Sequence, residues 1–135
     1  DRARLYSYLG QAQDPALVQR ALDLALSGEP SPTEAPNIIA AVAGDNPDVA
    51  FDYALTHRAQ LDEFLEPTSR TTYYAELATA SRDPSMLDKL ARFAGSVPAS
   101  SRGDVQKAEA AIRYRAEVIA RRVPEMERWL AANGD

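Results

Sequence analysis

The chain of 135 residues contains no cysteine, a single histidine, only two lysines and no long apolar run. Without cysteine it can form no disulfide, thiolate nucleophile or cysteine metal site. No stretch of about 18 apolar residues is available to span a membrane. Fifteen basic residues against 20 acidic ones give a formal charge of -5, and no basic run is present. Since nucleic-acid binding needs a basic patch, we expect neither membrane nor nucleic acid among the partners.

Catalytic patterns are missing as well. A Ser-His-Asp triad would have to use His57, the only histidine, and the six glycines stand singly at predicted helix ends, not in a phosphate-binding loop. We therefore expect no catalytic residue, no metal ligand and no cofactor within these 135 residues.

What is present is a repeated helix signal, clearest from Asn46 to Leu65. Asn46 is a favourable N-cap, and Pro47 suits the first helical position, where no backbone N–H is needed. Apolar residues then recur at helical spacing until Pro67 ends the segment. No sustained alternation of apolar and polar residues indicates a strand. The sequence predicts an all-α protein.

Four prolines are predicted to open alternate helices. Pro15, Pro47, Pro84 and Pro124 follow one another at intervals of 32, 37 and 40 residues. A period of this size in helix pairs is typical of stacked helical repeats. We expect residues 1–135 to form one helical-repeat domain, an α-α superhelix (HEAT-like solenoid) of about eight antiparallel helices in four hairpins. The alternative is an irregular helical bundle, because Asp-Pro is also a common helix start.

Three segments, in this order, resemble the C-terminal domain of the zinc aminopeptidases. They are VQRALDLALS at 18–27, PDVAFDYAL at 47–55 followed by Leu61 and Phe64-Leu65, and the closing helix that leads to RVPEMERWL at 122–130. The relatives meant are puromycin-sensitive aminopeptidase, aminopeptidase N and the endoplasmic-reticulum aminopeptidases. The resemblance covers most of the chain, roughly from Leu17 to Leu130.

The resemblance implies a non-catalytic HEAT-like domain that caps the active-site chamber and assists the access and binding of peptide substrates. The chain would then be a fragment of a larger protein, and its partners would be the catalytic domain of the same parent chain and peptides. Zinc would be bound in that catalytic domain, because one histidine cannot supply the two-histidine zinc motif. The alternative is an independent scaffold, similar to HEAT or tetratricopeptide proteins, that binds a protein partner.

The candidate peptide-groove residues are one histidine and four arginines on the predicted inner helices. Guanidinium groups suit the C-terminal carboxylate of a peptide, and the concave face of stacked hairpins is their usual binding surface. For each arginine surface solubility is the competing interpretation, and for His57 a place in the core. The candidates are Arg20, His57, Arg58, Arg92 and Arg128.

The end of the chain is predicted to fold back on the domain. A long helix from about Asp104 to Val123 should stop before Pro124, and a final helix should carry Met126, Trp129 and Leu130. We expect Trp129 to be mostly buried against the preceding helix, since a terminal repeat needs a large side chain to seal its core. The competing interpretation is an exposed contact for the missing catalytic domain.

Overall fold

The computed structural model describes residues 14–134, which contain seven α-helices, two short 3-10 turns and no β-strand. The helices are α1 (Pro15–Ala25), α2 (Glu34–Asp45), α3 (Pro47–Thr56), α4 (Arg58–Asp62), α5 (Arg70–Thr79), α6 (Ser85–Ala94) and α7 (Arg102–Asn133), with 3-10 turns at Pro67–Ser69 and Ala99–Ser101. The all-α prediction is confirmed. A further predicted helix near residues 3–11 lies outside the described residues.

The predicted proline starts are found at three helices. In α1 the Asp14 side chain accepts a hydrogen bond from the backbone N–H of Ala16 at 2.9 Å, and Pro15 is the first helical residue. α3 likewise begins at Pro47. α6 begins one residue later than predicted, because Asp83 accepts a hydrogen bond from the N–H of Ser85 and leaves Pro84 at the cap.

The predicted long helix after Asn46 is divided at His57 into α3 and the short α4. Two side chains bond to the last turn of α3: Thr56 Oγ1 donates to the carbonyl oxygen of Asp52 at 2.8 Å, and His57 Nδ1 lies 3.0 Å from that of Tyr53. Side chains that bond to nearby backbone compete with continuation of a helix. This local competition explains the break.

The predicted helix boundary at Pro124 is wrong, because α7 continues through it to Asn133. A proline inside a helix removes one hydrogen bond and costs on the order of 3 kcal/mol. Its neighbours Arg121, Arg122 and Glu125 are strong helix formers, which favours continuation on both sides. The two predicted last helices are therefore one.

The predicted burial of Trp129 is also wrong, since 63% of the residue is exposed. Without a turn at Pro124 the chain cannot return to the domain, and every residue from Ile119 to Gly134 is exposed. Farther back along the same helix, Ile112 lies in the core, whereas Ile119 is 42% exposed. We call residues 119–133 the projecting half of α7 and residues 102–118 its packed half.

One apolar core joins the helices. Its aromatic centre is formed by Phe93, whose ring lies 6.2 Å from that of Phe51 in an edge-on arrangement and 5.6 Å from that of Tyr74. The largest fully buried side chains around it are Leu22, Ile39, Val42, Leu61, Met86, Leu90, Val105 and Ile112. Each is expected to contribute about 1.5–3 kcal/mol by burial.

Helix neighbours follow the chain. α1 packs on α2, α2 on α3 and α5, α3 on α5, and α7 on both α5 and α6. Side chains also link α3 to α6, through Phe51 with Phe93 and Asp52 with Lys89. A further link runs from α4 to the end of α1, where Gln60 donates to the carbonyl oxygen of Leu26. The space between α3 and α6 forms the groove described next.

Candidate functional site

An open groove of about 500 Å³ lies where α3 and α4 face α6. We call it the α3–α6 groove. Three cationic side chains and one carboxylate line it, together with apolar groups of Leu55 and Phe93. The full lining is Asp52, Leu55, Thr56, Arg58, Lys89, Arg92, Phe93 and Ser96.

Arg58 is the most firmly held of the three cations. Its Nη1 donates to Ser96 Oγ at 2.8 Å, and Ser96 Oγ in turn donates to the carbonyl oxygen of Phe93 at 2.7 Å. The guanidinium carbon lies 4.9 Å from the ring centre of Phe93 and 5.5 Å from that of Tyr74, distances at which a cation is attracted to an aromatic face. These contacts fix the charge before any ligand arrives.

Asp62, one turn farther along the chain than Arg58, is paired with it. Its carboxylate lies 3.9 Å from Nε of Arg58 and accepts a hydrogen bond of 2.6 Å from the hydroxyl of the fully buried Tyr74. Burial raises the pKa of Tyr74 strongly, and the bond to Asp62 raises it further. Arg70 donates to the carbonyl oxygen of Asp62 at 2.9 Å. The Asp62 carboxylate is therefore engaged by the protein itself.

The other two cations differ in their freedom to bind a ligand. Lys89 Nζ lies 2.9 Å from Asp52, whose side chain is 59% exposed. The Arg92 side chain is exposed and makes no hydrogen bond or ion pair with any residue of the described range 14–134. When Asp62 beside Arg58 is counted with Asp52, two carboxylates stand against three cations, so the groove has a small excess of positive charge in an otherwise acidic chain.

The structure brings two of the predicted groove residues together, namely Arg58 and Arg92. Arg20 lies elsewhere, in a shallow depression on α1 beside Leu17, Asp23, Leu24 and Ser27. Arg128 lies on the projecting half of α7. The predicted shared surface for all the candidates is thus not formed among the described residues.

His57 lies next to the groove residue Arg58 but is not part of the lining. Its ring stacks on Tyr53 with centres 4.2 Å apart, and its Nδ1 bonds to the Tyr53 carbonyl oxygen. Burial raises the pKa of Tyr53 to about 12, and the neighbouring charge of Asp23 adds to this. The half-buried His57 therefore ends α3 and packs on it, which is a structural role.

Lys89, Ser96 and Phe93 were not predicted as groove residues. Lys89, Arg92 and Ser96 follow one another at intervals of three and four residues, which is the spacing of one helix face. This spacing was a usable signal for a shared surface. The pairing of Asp52 with Lys89 joins two helices 37 residues apart in sequence and could not be read from either helix alone.

Within residues 14–134 no group of three or more His, Asp or Glu residues is arranged to hold a metal ion. Over the same range no helix is both long and apolar enough to cross a bilayer. Comparison of the chain with protein-family models, curated proteins and solved structures finds no match. The resemblance to the zinc aminopeptidases therefore remains a prediction made from the sequence.

Proposed function

We propose that this helical domain is a non-catalytic peptide-binding domain and that the α3–α6 groove holds the C-terminal carboxylate of a peptide. The observation that carries the proposal is the convergence of Arg58, Lys89 and Arg92 around one open groove, next to the half-buried Leu55. The cations would bind the carboxylate, and Leu55 would contact the last side chain of the peptide.

The three cations would have different parts in binding. Arg92 has a guanidinium with no partner among residues 14–134, so a carboxylate can bind it without breaking an existing bond. Arg58 is already ordered by Ser96 and the aromatic rings, so binding at this group costs little side-chain entropy. Lys89 would have to share its charge between Asp52 and the ligand.

We further propose that the domain belongs to a zinc-dependent aminopeptidase, where it caps the active-site chamber and assists peptide access. Zinc would then lie in the catalytic domain of the same parent chain. The resemblance of segments 18–27, 47–55 and 122–130 supports this setting. A sequence encoding a His-Glu-x-x-His helix upstream of Asp1 in the parent gene would agree with it, and a parent gene without such a helix would contradict it.

We also propose that the helices are arranged as a HEAT-like superhelix. It is supported by contacts of α2 with α5 and of α5 with α7, which would form one layer. On the other side, side chains link α4 to the end of α1 and α3 to α6, which would form the second layer. One layer of such a superhelix lines its concave face, and the proposed groove lies in the second layer.

The independent scaffold is retained as a second candidate because of the exposed apolar residues on the projecting half of α7. An apolar helix face without a partner is typical of a protein-interaction surface. In this interpretation the domain would bind a protein and the groove would have no ligand of its own.

Binding of short peptides to the purified chain tests the groove. An N-acetylated tetrapeptide ending in leucine, titrated as the free acid and as the C-terminal amide, should shift the NMR signals of residues around Arg92 only as the acid. Arg92→Gln should weaken binding about fivefold, because an exposed ion pair contributes up to about 1 kcal/mol. Arg113→Gln, which alters an exposed arginine of α7, is the matched control. Equal binding of acid and amide would contradict the proposal.

A further inference from the structure

The projecting half of α7 carries an apolar stripe that no described residue covers. The exposed fractions are 42% for Ile119, 46% for Val123, 63% for Met126 and Trp129, and 56% for Leu130. Four of these residues follow one another at intervals of four, three and four, so they share one helix face, and Trp129 lies at its edge. We call these five residues the α7 stripe. It continues the face that Val105, Ala108 and Ile112 bury against the domain.

The α7 stripe has the size of the largest apolar patch on a typical monomer, and such patches often have a function. From the exposed fractions, its apolar area is on the order of 500 Å², at the upper end of what a monomer exposes in one patch. Pro124 also weakens the helix at the middle of the stripe, where no tertiary contact compensates. A helix in this situation gains stability mainly by burying its apolar face against a partner.

We propose that the α7 stripe binds the same stripe of a second copy of this chain, with the two projecting halves antiparallel about a two-fold axis. The same surface is then used on both copies, as in most homodimers. Two stripes would bury roughly 1,000 Å² of apolar surface, near the lower limit for a specific interface. We therefore expect a reversible dimer with a dissociation constant in the micromolar range.

We call helices α1 to α6 the domain body, and its position at the packed half of α7 selects the antiparallel orientation. On the packed half of α7 the stripe face is covered by α5 and α6. A parallel partner would bring its own body to the same end and the same side, where these helices already lie. Antiparallel halves of 15 residues, about 22 Å long, place the two bodies at opposite ends.

The charges flanking the stripe are compatible with this orientation. When Ile119 lies opposite Leu130 and Val123 opposite Met126, the stripe edge that carries Trp129 in one copy lies beside the same edge in the other copy. Arg122 then comes beside Trp129 of the second copy, where a cation–π contact can form. A parallel pair would instead place Arg122 near Glu127 of the second copy. That exposed ion pair is worth at most about 1 kcal/mol, which cannot offset overlap of the bodies.

The other possible occupant within the chain is the segment of residues 1–13, which contains Leu5, Tyr6, Tyr8 and Leu9. It leads into α1, which packs on α2, whereas α7 packs on α5 and α6. If this segment covered the stripe, the chain would remain a monomer.

Sedimentation equilibrium of the full chain, from low micromolar to near-millimolar concentration, tests the proposal. We expect a reversible monomer–dimer equilibrium, with the emission of Trp129, the only tryptophan, shifting to shorter wavelength as the dimer forms. Met126→Glu should raise the dissociation constant at least about tenfold, because it places a charge in the interface. Tyr114→Glu, at a residue 69% exposed on the opposite side of α7, should leave it unchanged.

Two results would overturn the proposal. One is a chain that stays monomeric at the highest concentration, whether Trp129 is then exposed or is covered by residues 1–13 or another segment. The other is a dimer that Met126→Glu does not weaken. Helical circular dichroism of both variants should match the parent, since each change is at an exposed residue.

The orientation has its own test, which the absence of native cysteine makes simple. Chains carrying Val123→Cys and chains carrying Met126→Cys are mixed in equal amounts and oxidised. Antiparallel pairing predicts mainly disulfides between the two kinds of chain, because these positions face each other. Mainly Val123→Cys homodimers would contradict the antiparallel orientation.

Discussion

The packed half of α7 and its projecting half have the same spacing of apolar residues but opposite surroundings. Val105, Ala108 and Ile112 are at most 2% exposed, whereas Ile119 and Val123, farther along the same face, are more than 40% exposed. The difference is set by where α5 and α6 end, and not by the pattern on α7 itself. Helical periodicity therefore predicts which face of a helix seeks a partner, but not whether the partner lies in the same chain.

The largest expected effect contrasts equivalent residues of the two halves. Ile112→Ala should destabilise the domain by about 2–4 kcal/mol, because it empties a closely packed site. Ile119→Ala should change the free energy of unfolding by less than about 0.5 kcal/mol in dilute solution. Urea denaturation of both variants measures the difference. Equal losses would mean that the core extends along the whole of α7.

Arg115 connects the packed half to the end of α5. Its Nη1 donates to the carbonyl oxygen of Thr79, the last residue of α5, at 3.0 Å and to that of Ser81, just beyond the helix end, at 2.6 Å. Arg115→Ala should cost about 2 kcal/mol, in the range for hydrogen bonds to charged groups. Arg121→Ala, on the projecting half, is the matched control and should have almost no effect in dilute solution. Chemical denaturation should show the Arg115 variant alone shifted.

Most helices of the packed part of the molecule were predicted from the sequence, whereas the continuation of α7 through Pro124 was not. Both outcomes have physical reasons. Helix starts are local, so Asp14-Pro15 and Asn46-Pro47 could be located from capping chemistry alone. Whether Pro124 ends or interrupts a helix depends on the balance between one lost hydrogen bond and the propensities around it. Of the residues that line the groove, Arg58 and Arg92 were among the sequence candidates; Lys89 was not, although its spacing from Arg92 was a usable signal, and its pairing with Asp52 on another helix could not be predicted.

A smaller, pH-dependent effect is expected at the start of α6, in the packed part of the molecule. Hydrogen bonds from Ser85 hold the pKa of Asp83 below its usual value of 3.8. A carboxylate whose pKa is lower in the folded chain than in the unfolded chain stabilises the fold at pH values above the unfolded pKa. This contribution disappears as the pH falls through the folded pKa. Asp83→Asn should therefore flatten the loss of melting temperature below about pH 4. An identical pH profile for both proteins would contradict this assignment.

The smallest expected effect in dilute solution is that of Trp129→Ala on the projecting half. Because the side chain is 63% exposed, its removal should change the unfolding free energy by less than about 0.5 kcal/mol. Thermal melting at low micromolar concentration is the measurement. A loss of about 3–5 kcal/mol would instead mean that the indole is buried by a part of the same chain.

Hydrogen exchange along α7 tests most directly whether only its packed half is held by the domain. At a concentration where the chain is monomeric, we predict strong protection of the amides from Val105 to Arg115, because opening them requires disruption of the core. From Ile119 to Asn133 the amides should exchange nearly as fast as in an unfolded chain. Uniform protection through Trp129 in the monomer would contradict this, since it would require contacts that hold the projecting half within a single chain.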